Sequence, residues 1–123
     1  MAERPPSTEP SIWFRLLLPS GALGPGKIAL MRAVEATGSV SAAARSLRMS
    51  HARSVKLVAE INALASTPLI DTRAGGTSGG GASLTPLGRA VIDAYAEIAG
   101  KVQETTANSL AQLSAMLVSR PKI

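Results

Sequence analysis

The sequence predicts one mainly α-helical domain with a small β-hairpin. Three observations predict it: apolar residues recur at helical spacing in four stretches, a glycine-rich run separates two short strand-like segments, and 123 residues suffice for about one domain. Hydrophobic residues make up 46% of the chain, yet its aromatic residues are only Trp13, Phe14 and Tyr95. We therefore expect a core built mainly from aliphatic side chains.

The N-terminal part predicts a tail and one strand. Residues 1–11 are polar and rich in proline, as in a disordered tail. From Ile12 to Leu18 alternate residues are apolar, a period of two that is typical of a strand. Pro19, Ser20 and Gly21 then predict a turn.

Three helices are predicted next. The first spans residues 27–37, with Gly38 as its C-cap, and the second begins at Ser39 or Ser41 as N-cap. After the connection Arg48-Met49-Ser50, the third spans about residues 51–65. Its predicted inner face carries Val55, Val58, Ile61 and Ala65, and its outer face carries Ala52, Arg53, Lys56, Glu60 and Ala63. A helix, a tight turn and a second helix with a basic outer face are typical of a helix-turn-helix.

A hairpin and a long helix complete the prediction. Residues 69–73 and 82–85 predict two strands around the glycine-rich tip 74–81. Thr85 is then an N-cap candidate for a helix over residues 86–118, about 50 Å long. Because so long a helix extends beyond the body, we expect its far half to pair with a second copy; the alternative is a frayed end. The expected dimerisation residues are Val91, Tyr95, Ile98, Val102, Leu113 and Met116.

The positive charge is concentrated in one stretch. The net charge is +5, and residues 27–59 hold six basic residues against Glu35, with no carboxylate from 36 to 59. Such a stretch favours a polyanionic partner such as nucleic acid, although an anionic membrane surface and an ordinary solvated face remain alternatives.

Composition also excludes classes of function. With no cysteine and only His51 as histidine, the chain offers no thiolate or multi-histidine metal site. Gly76-Thr77-Ser78-Gly79-Gly80 matches the letters of a hydrolase nucleophile motif but is followed by glycine instead of a helix. We expect no enzymatic activity, cofactor or metal. No signal peptide or membrane span is visible, so we expect a cytoplasmic, nucleoid-associated protein.

Several motifs together resemble a known family. Thr37-Gly38-Ser39-Val40-Ser41-Ala42-Ala43-Ala44, Met49-Ser50, Leu69-Ile70-Asp71-Thr72-Arg73 and Leu84-Thr85-Pro86-Leu87-Gly88 resemble the N-terminal winged helix-turn-helix domain of LysR-type regulators. The glycine tract and the strand before the first helix are similar to the DNA-binding domain of ModE, the molybdate-responsive regulator. The resemblance implies a DNA-binding domain over residues 12–118, with tails at 1–11 and 119–123. ModE proteins bind molybdate in a C-terminal region, and this chain ends at Ile123, so we expect no molybdate site in it.

The resemblance also implies which residues contact DNA. In this family type the N-terminal half of the recognition helix enters the major groove, and the matching residues are Ser50, His51, Arg53, Ser54 and Lys56. Arg53 can donate two hydrogen bonds to guanine, whereas Lys56 suits a phosphate equally well. Further candidates for phosphate contacts are Ser39, Ser41, Arg45, Arg48, Arg73, Thr77 and Ser78, with helix capping and surface charge as the alternatives.

The function predicted is a homodimeric, sequence-specific regulator of transcription that binds double-stranded DNA. Its recognition helix would enter the major groove, and its glycine-rich wing would contact the backbone or the minor groove. The alternative is a winged-helix module that binds another protein, or a regulator without a sensor that a partner protein controls.

Overall fold

The computed structural model describes residues 9–73 and 81–117. These residues form four helices and two antiparallel strand pairs, which confirms a mainly α-helical fold with a small hairpin. In chain order the elements are β1 (Leu16–Leu18), β2 (Gly21–Leu23), α1 (Pro25–Thr37), α2 (Val40–Ser46), α3 (His51–Asn62), β3 (Ile70–Arg73), β4 (Gly81–Leu84) and α4 (Pro86–Met116). The predicted C-terminal tail, most of the N-terminal tail and nearly all of the glycine tip lie outside the described residues.

The N-terminal strand prediction was wrong in its extent. Residues 12–15 are not in a strand, and β1 pairs with a second strand, β2, so that Leu16 lies opposite Leu23. The chain reverses direction between β1 and β2 in only two turn residues. This is possible because Gly21 adopts a φ of 143°, a conformation that glycine adopts more easily than other residues. Leu23 is then buried in the core. A strand of three residues is too short to show an alternating pattern, which is why the sequence did not reveal β2.

The helix termini follow the predicted capping residues. Gly38 ends α1 in the left-handed conformation, with a φ of 74°. The side chains of Ser39 and Ser50 accept hydrogen bonds from the backbone N–H groups of Ala42 and Arg53, both at 3.1 Å. Thr85 caps α4 in the same way. These caps fix where α2, α3 and α4 begin.

The core forms around α1. Leu30, Met31 and Val34 are completely buried, and Leu69 and the first residue of β3, Ile70, add to them. One aromatic pair joins this aliphatic core: the rings of Phe14 and Tyr95 stack with centroids 5.5 Å apart, and the Tyr95 hydroxyl donates to the Phe14 carbonyl at 3.1 Å. Burial raises the pKa of Tyr95, and the positive charge of Arg32 partly offsets that effect.

Asn62 fixes the β3–β4 hairpin beside α3. Its carbonyl oxygen accepts from the N–H groups of Leu69 and Ile70, both at 2.9 Å, and its amide donates to the Ile70 carbonyl at 3.1 Å. On the other strand, the Ala82 N–H donates to the Gly38 carbonyl at 2.8 Å. The hairpin is therefore held both by the end of α3 and by the turn between α1 and α2.

The two halves of α4 differ in packing. Ile92 and Tyr95 in the first half are buried, and Gln103 bonds the backbone of Ile12. Between residues 104 and 117 no side chain is buried. Within the described parts of the chain, no helix combines the length and the hydropathy needed to cross a membrane.

Candidate nucleic-acid interface

A tight turn sets the positions of α2 and α3. Leu47 closes α2, and Arg48 adopts a φ of 54°, a left-handed conformation that is uncommon outside glycine. The Met49 N–H then bonds back to the Ala44 carbonyl at 2.9 Å, and Ser50 caps α3. The turn therefore brings the start of α3 close to the end of α2, with the Arg48 side chain exposed.

The inner side of α3 differs from the prediction. Ser54 and Ile61 are completely buried, whereas Val55, predicted for the core, is 51% exposed. The buried face is therefore shifted from Val55 toward Ser54, while Ile61 is buried as predicted and Val58 and Ala65 are half-buried. A serine is tolerated inside because its hydroxyl donates to the His51 carbonyl at 2.6 Å, so this buried hydroxyl has a partner.

Most basic candidates lie on the open surface. Arg45 and Arg48 near the end of α2 are exposed, and so are His51, Arg53 and Lys56 on α3. They form what we call the basic face of the α2–α3 unit. Among the described residues from 36 to 59 there is no carboxylate to neutralise it.

The serine candidates fall into different environments. Ser41 is exposed, Ser39 is half-buried, and Ser50 is exposed although its hydroxyl already caps α3. Ser54 was wrongly predicted as a contact residue, because its side chain is fully enclosed and cannot reach an external partner. Thr77 and Ser78 lie outside the described residues.

Two acidic groups of α1 and α3 pair with cations: Glu35, and Glu60, which lines the same cleft as Arg53 and Lys56. Glu60, near the C-terminal end of α3, lies 3.6 Å from the Lys27 ammonium, and Lys27 also donates to the Ala22 carbonyl at 2.7 Å. Glu35 on α1 pairs with Arg89 on α4. Lys27 therefore balances Glu60, and the exposed charge near the start of α3 stays positive.

Two clefts flank α3. The hairpin cleft, about 400 Å³, lies between α3, the start of α2 and the β3–β4 hairpin, and exposed Arg73 is on its wall. The N-terminal cleft, about 510 Å³, has Arg53 and Lys56 on one wall and Trp13 and Arg15 on the other. The sequence does not indicate Trp13 and Arg15 as members of this surface, because the fold brings them to α3 across about 40 residues of chain.

The chemistry that this surface offers is cationic binding and hydrogen bonding. Its guanidinium groups and the Lys56 ammonium donate hydrogen bonds and carry charge. Within the described residues, no group of three or more histidine and acidic side chains is placed to hold a metal ion.

Comparison with known proteins identifies relatives of the chain. MopB of Rhodobacter capsulatus, a molybdenum-pterin-binding protein, is 41% identical over 76 residues, which cover 62% of this chain and 28% of MopB. The transcriptional regulator ModE of Yersinia pestis is 31% identical over 86 residues, or 70% of this chain and 32% of ModE. The molybdenum transport protein ModE of Azotobacter vinelandii is 36% identical over 74 residues, or 60% and 27%. ModE and Mop proteins are homologues of this chain.

The relationship covers part of each protein. No protein-family model matches the chain. The aligned residues span less than a third of the length of each relative. These alignments confirm that the chain is related in sequence to ModE.

Proposed function

We propose that this chain is a homodimeric, winged helix-turn-helix regulator of transcription that binds double-stranded DNA in a sequence-specific manner. It corresponds in this proposal to the N-terminal DNA-binding domain of ModE. The homology to a protein named a transcriptional regulator supports the regulatory part. The basic face of the α2–α3 unit is the observation that carries the DNA-binding part.

The arrangement around α3 fits the shape of a duplex. The major groove is about 12 Å wide and accepts one helix, with a phosphate backbone on each side. Here α3 is a ridge between the two clefts, and each cleft has an arginine from another segment among its lining residues: Arg73 in the hairpin cleft and Arg15 in the N-terminal cleft. With α3 in the groove, the two backbones would lie along the two clefts.

Arg53 and Lys56 have different roles in this proposal. The planar guanidinium of Arg53 can donate two parallel hydrogen bonds to O6 and N7 of guanine, a contact that distinguishes this base from the others. The Lys56 ammonium is a point charge and binds a phosphate regardless of sequence. His51 lies exposed at the start of the same helix, within the part that would enter the groove.

Contacts beside α3 would set the orientation on DNA. Ser39 and Ser41 at the start of α2 line the hairpin cleft, and Arg73 of β3 lines it as well. Arg45 and Arg48 extend the positive surface along α2. We assign phosphate contacts to all five, and to Thr77 and Ser78 of the predicted wing tip, because phosphate contacts position a protein without selecting sequence.

The dimer part of the proposal concerns the second half of α4. Tyr95 is buried within its own chain, and Val91 and Val102 are half-buried there. Ile98, Leu113 and Met116 remain exposed at 38%, 50% and 76%. An apolar strip of this kind is stabilised when a second α4 covers it, and a two-fold dimer would present two α3 helices to two half-sites.

A gel-shift titration tests DNA binding. The wild-type chain should select a sequence from a random duplex pool and retain it against excess unrelated DNA. Arg53→Ala removes one contact from each half-site, so it should reduce the preference for the selected over unrelated sequence by about 30-fold or more, since each lost bidentate contact costs about 1 to 3 kcal/mol. Lys56→Ala should weaken binding to all duplexes alike.

Lys101→Ala is the matched control, because Lys101 is an exposed lysine on α4 that pairs with Glu97. It should bind as the wild type does. A chain that forms no saturable, competitor-resistant complex would instead favour the protein-interaction module.

Sedimentation tests the dimer separately. The double substitution Leu113→Asp and Met116→Asp should convert the dimer to a monomer, because it places charges on the exposed strip. Substituting exposed Asp93 by Asn on the first half of α4 should leave the dimer intact. A wild-type chain that sediments as a monomer at all concentrations would refute this part alone.

A further inference from the structure

Val55 is the exposed apolar residue of the basic face. Its side chain is 51% exposed, while the other apolar residues of α3 longer than alanine, Leu57, Val58 and Ile61, are half-buried or buried. It lies between Arg53 and Lys56 in sequence, and at about 100° per residue it projects toward the hairpin side of α3 while Arg53 projects toward the N-terminal cleft. An apolar side chain in this position contributes little to the core of its own chain.

The surroundings of Val55 combine apolar and polar groups. The hairpin cleft has three apolar lining residues, Val40, Val55 and Val58. Its polar lining residues are Ser39, Ser41, Thr72 and Arg73. The cleft therefore fits a ligand with a small apolar group close to an anionic one, and a nucleotide with a methyl group on its base has that composition.

In the major groove, only one of the four bases presents a methyl group. Thymine carries a 5-methyl group where cytosine carries hydrogen, and an aliphatic side chain distinguishes them by contact with that methyl. Valine has no hydrogen-bonding group, so it cannot recognise a base by donating or accepting. We propose that Val55 is a specificity-determining residue that contacts the 5-methyl group of a thymine in each half-site. This inference rests on the proposed DNA-binding function.

The size of the effect follows from the burial of one methyl group. Removing that group from the DNA should weaken binding by about fourfold in one half-site and about 15-fold in both, because a buried methyl-sized group contributes about that much to affinity. Substituting valine by alanine should remove most of the difference, since the shorter side chain no longer reaches the methyl group.

The test replaces thymine by deoxyuracil, which lacks only the methyl group. Binding sites are first selected with the wild-type chain from a random duplex pool. Each symmetry-related pair of thymines in the selected site is then replaced in turn, and dissociation constants are measured for the wild type, Val55→Ala and Ser41→Ala. For the wild type, one symmetry-related thymine pair should show the about 15-fold loss, and for Val55→Ala that ratio should approach one.

Ser41→Ala is the control, because Ser41 lines the same cleft. It should weaken thymine and deoxyuracil duplexes equally and keep the wild-type ratio. Thermal denaturation checks that Val55→Ala is folded. A selected site in which no thymine responds, or an unchanged ratio in Val55→Ala, would overturn the role of Val55 while DNA binding stands. Failure to select any sequence would overturn the proposed function and this inference with it.

Discussion

Helices α1 and α3 have nearly equal lengths, 13 and 12 residues, but are held in opposite ways. α1 buries Ile28, Leu30, Met31 and Val34, whereas α3 buries only Ile61 and the small Ser54. The termini of α3 are fixed instead, by the Ser50 cap and by the bonds of Asn62. A helix anchored at its ends can leave most of its circumference open, and on α3 that open side is the basic face.

The largest expected effect on stability concerns the C-terminal anchor of α3. Asn62→Ala leaves the N–H groups of Leu69 and Ile70 without their acceptor in a buried site. It should lower the free energy of unfolding by about 3 kcal/mol, as expected for two unsatisfied buried donors. Urea denaturation measures the change. Asn108→Ala, at an exposed position on α4, should change it little, and equal effects of the two would contradict the anchoring role.

A matched pair of valines compares the two helices directly. Val34 on α1 is completely buried and Val55 on α3 is 51% exposed. Val34→Ala should cost about 2 kcal/mol, from lost burial and the cavity left behind. Val55→Ala should stay within about 0.5 kcal/mol of the wild type. If both substitutions cost the same in urea denaturation, the comparison between the helices is wrong.

Loss of the Ser50 cap at the N-terminal end of α3 should have a smaller effect on stability. Ser50→Ala removes the side-chain acceptor for the Arg53 N–H and should cost about 1 kcal/mol. Thermal denaturation followed by circular dichroism measures the loss of stability. Ser41→Ala, in the first turn of α2 but not its cap, serves as the control and should be nearly neutral. A neutral Ser50→Ala would show that α3 does not depend on its cap.

The smallest expected effect is a pH dependence of the free energy of unfolding, which arises from Tyr95 in the core. The pKa of Tyr95 is raised above 10.0 in the folded chain, so the folded state keeps the proton where the unfolded chain loses it. This contribution to stability is complete below about pH 10 and is lost as the pH rises through the folded pKa. The free energy of unfolding should therefore fall more steeply above about pH 10 for the wild type than for Tyr95→Phe. Identical pH profiles would contradict this.

Local signals in the sequence were sufficient for most of the fold. Gly38, Ser50 and Thr85 mark helix ends through their own backbone and side-chain chemistry, so they could be recognised one position at a time. The orientation of α3 could not be recognised in this way, because the burial of Ser54 and the exposure of Val55 depend on which neighbours pack against the helix. A pattern based on polarity assigns these two residues to the opposite sides.

The candidate site was predicted in part for the same reason. The charge on α3 is visible in the sequence because no acidic residue interrupts positions 36–59. The N-terminal cleft is not visible in the sequence, since Trp13 and Arg15 line the same cleft as Lys56 only because the N-terminal segment packs on the rest of the domain. The three bonds of Asn62 likewise join an amide to residues seven and eight positions later, a contact that no helical or strand period indicates.

The salt dependence of DNA affinity tests the central claim that the basic face of the α2–α3 unit binds duplex DNA. On one selected duplex, the logarithm of the association constant should fall linearly with the logarithm of salt concentration, with a slope of about −7 for a dimer in which Arg45, Arg48, Arg73 and Lys56 of each protomer contact about eight phosphates in all. Lys56→Ala should make the slope shallower by about two, one for each protomer. A wild-type slope near zero, or one unchanged in Lys56→Ala, would contradict the claim.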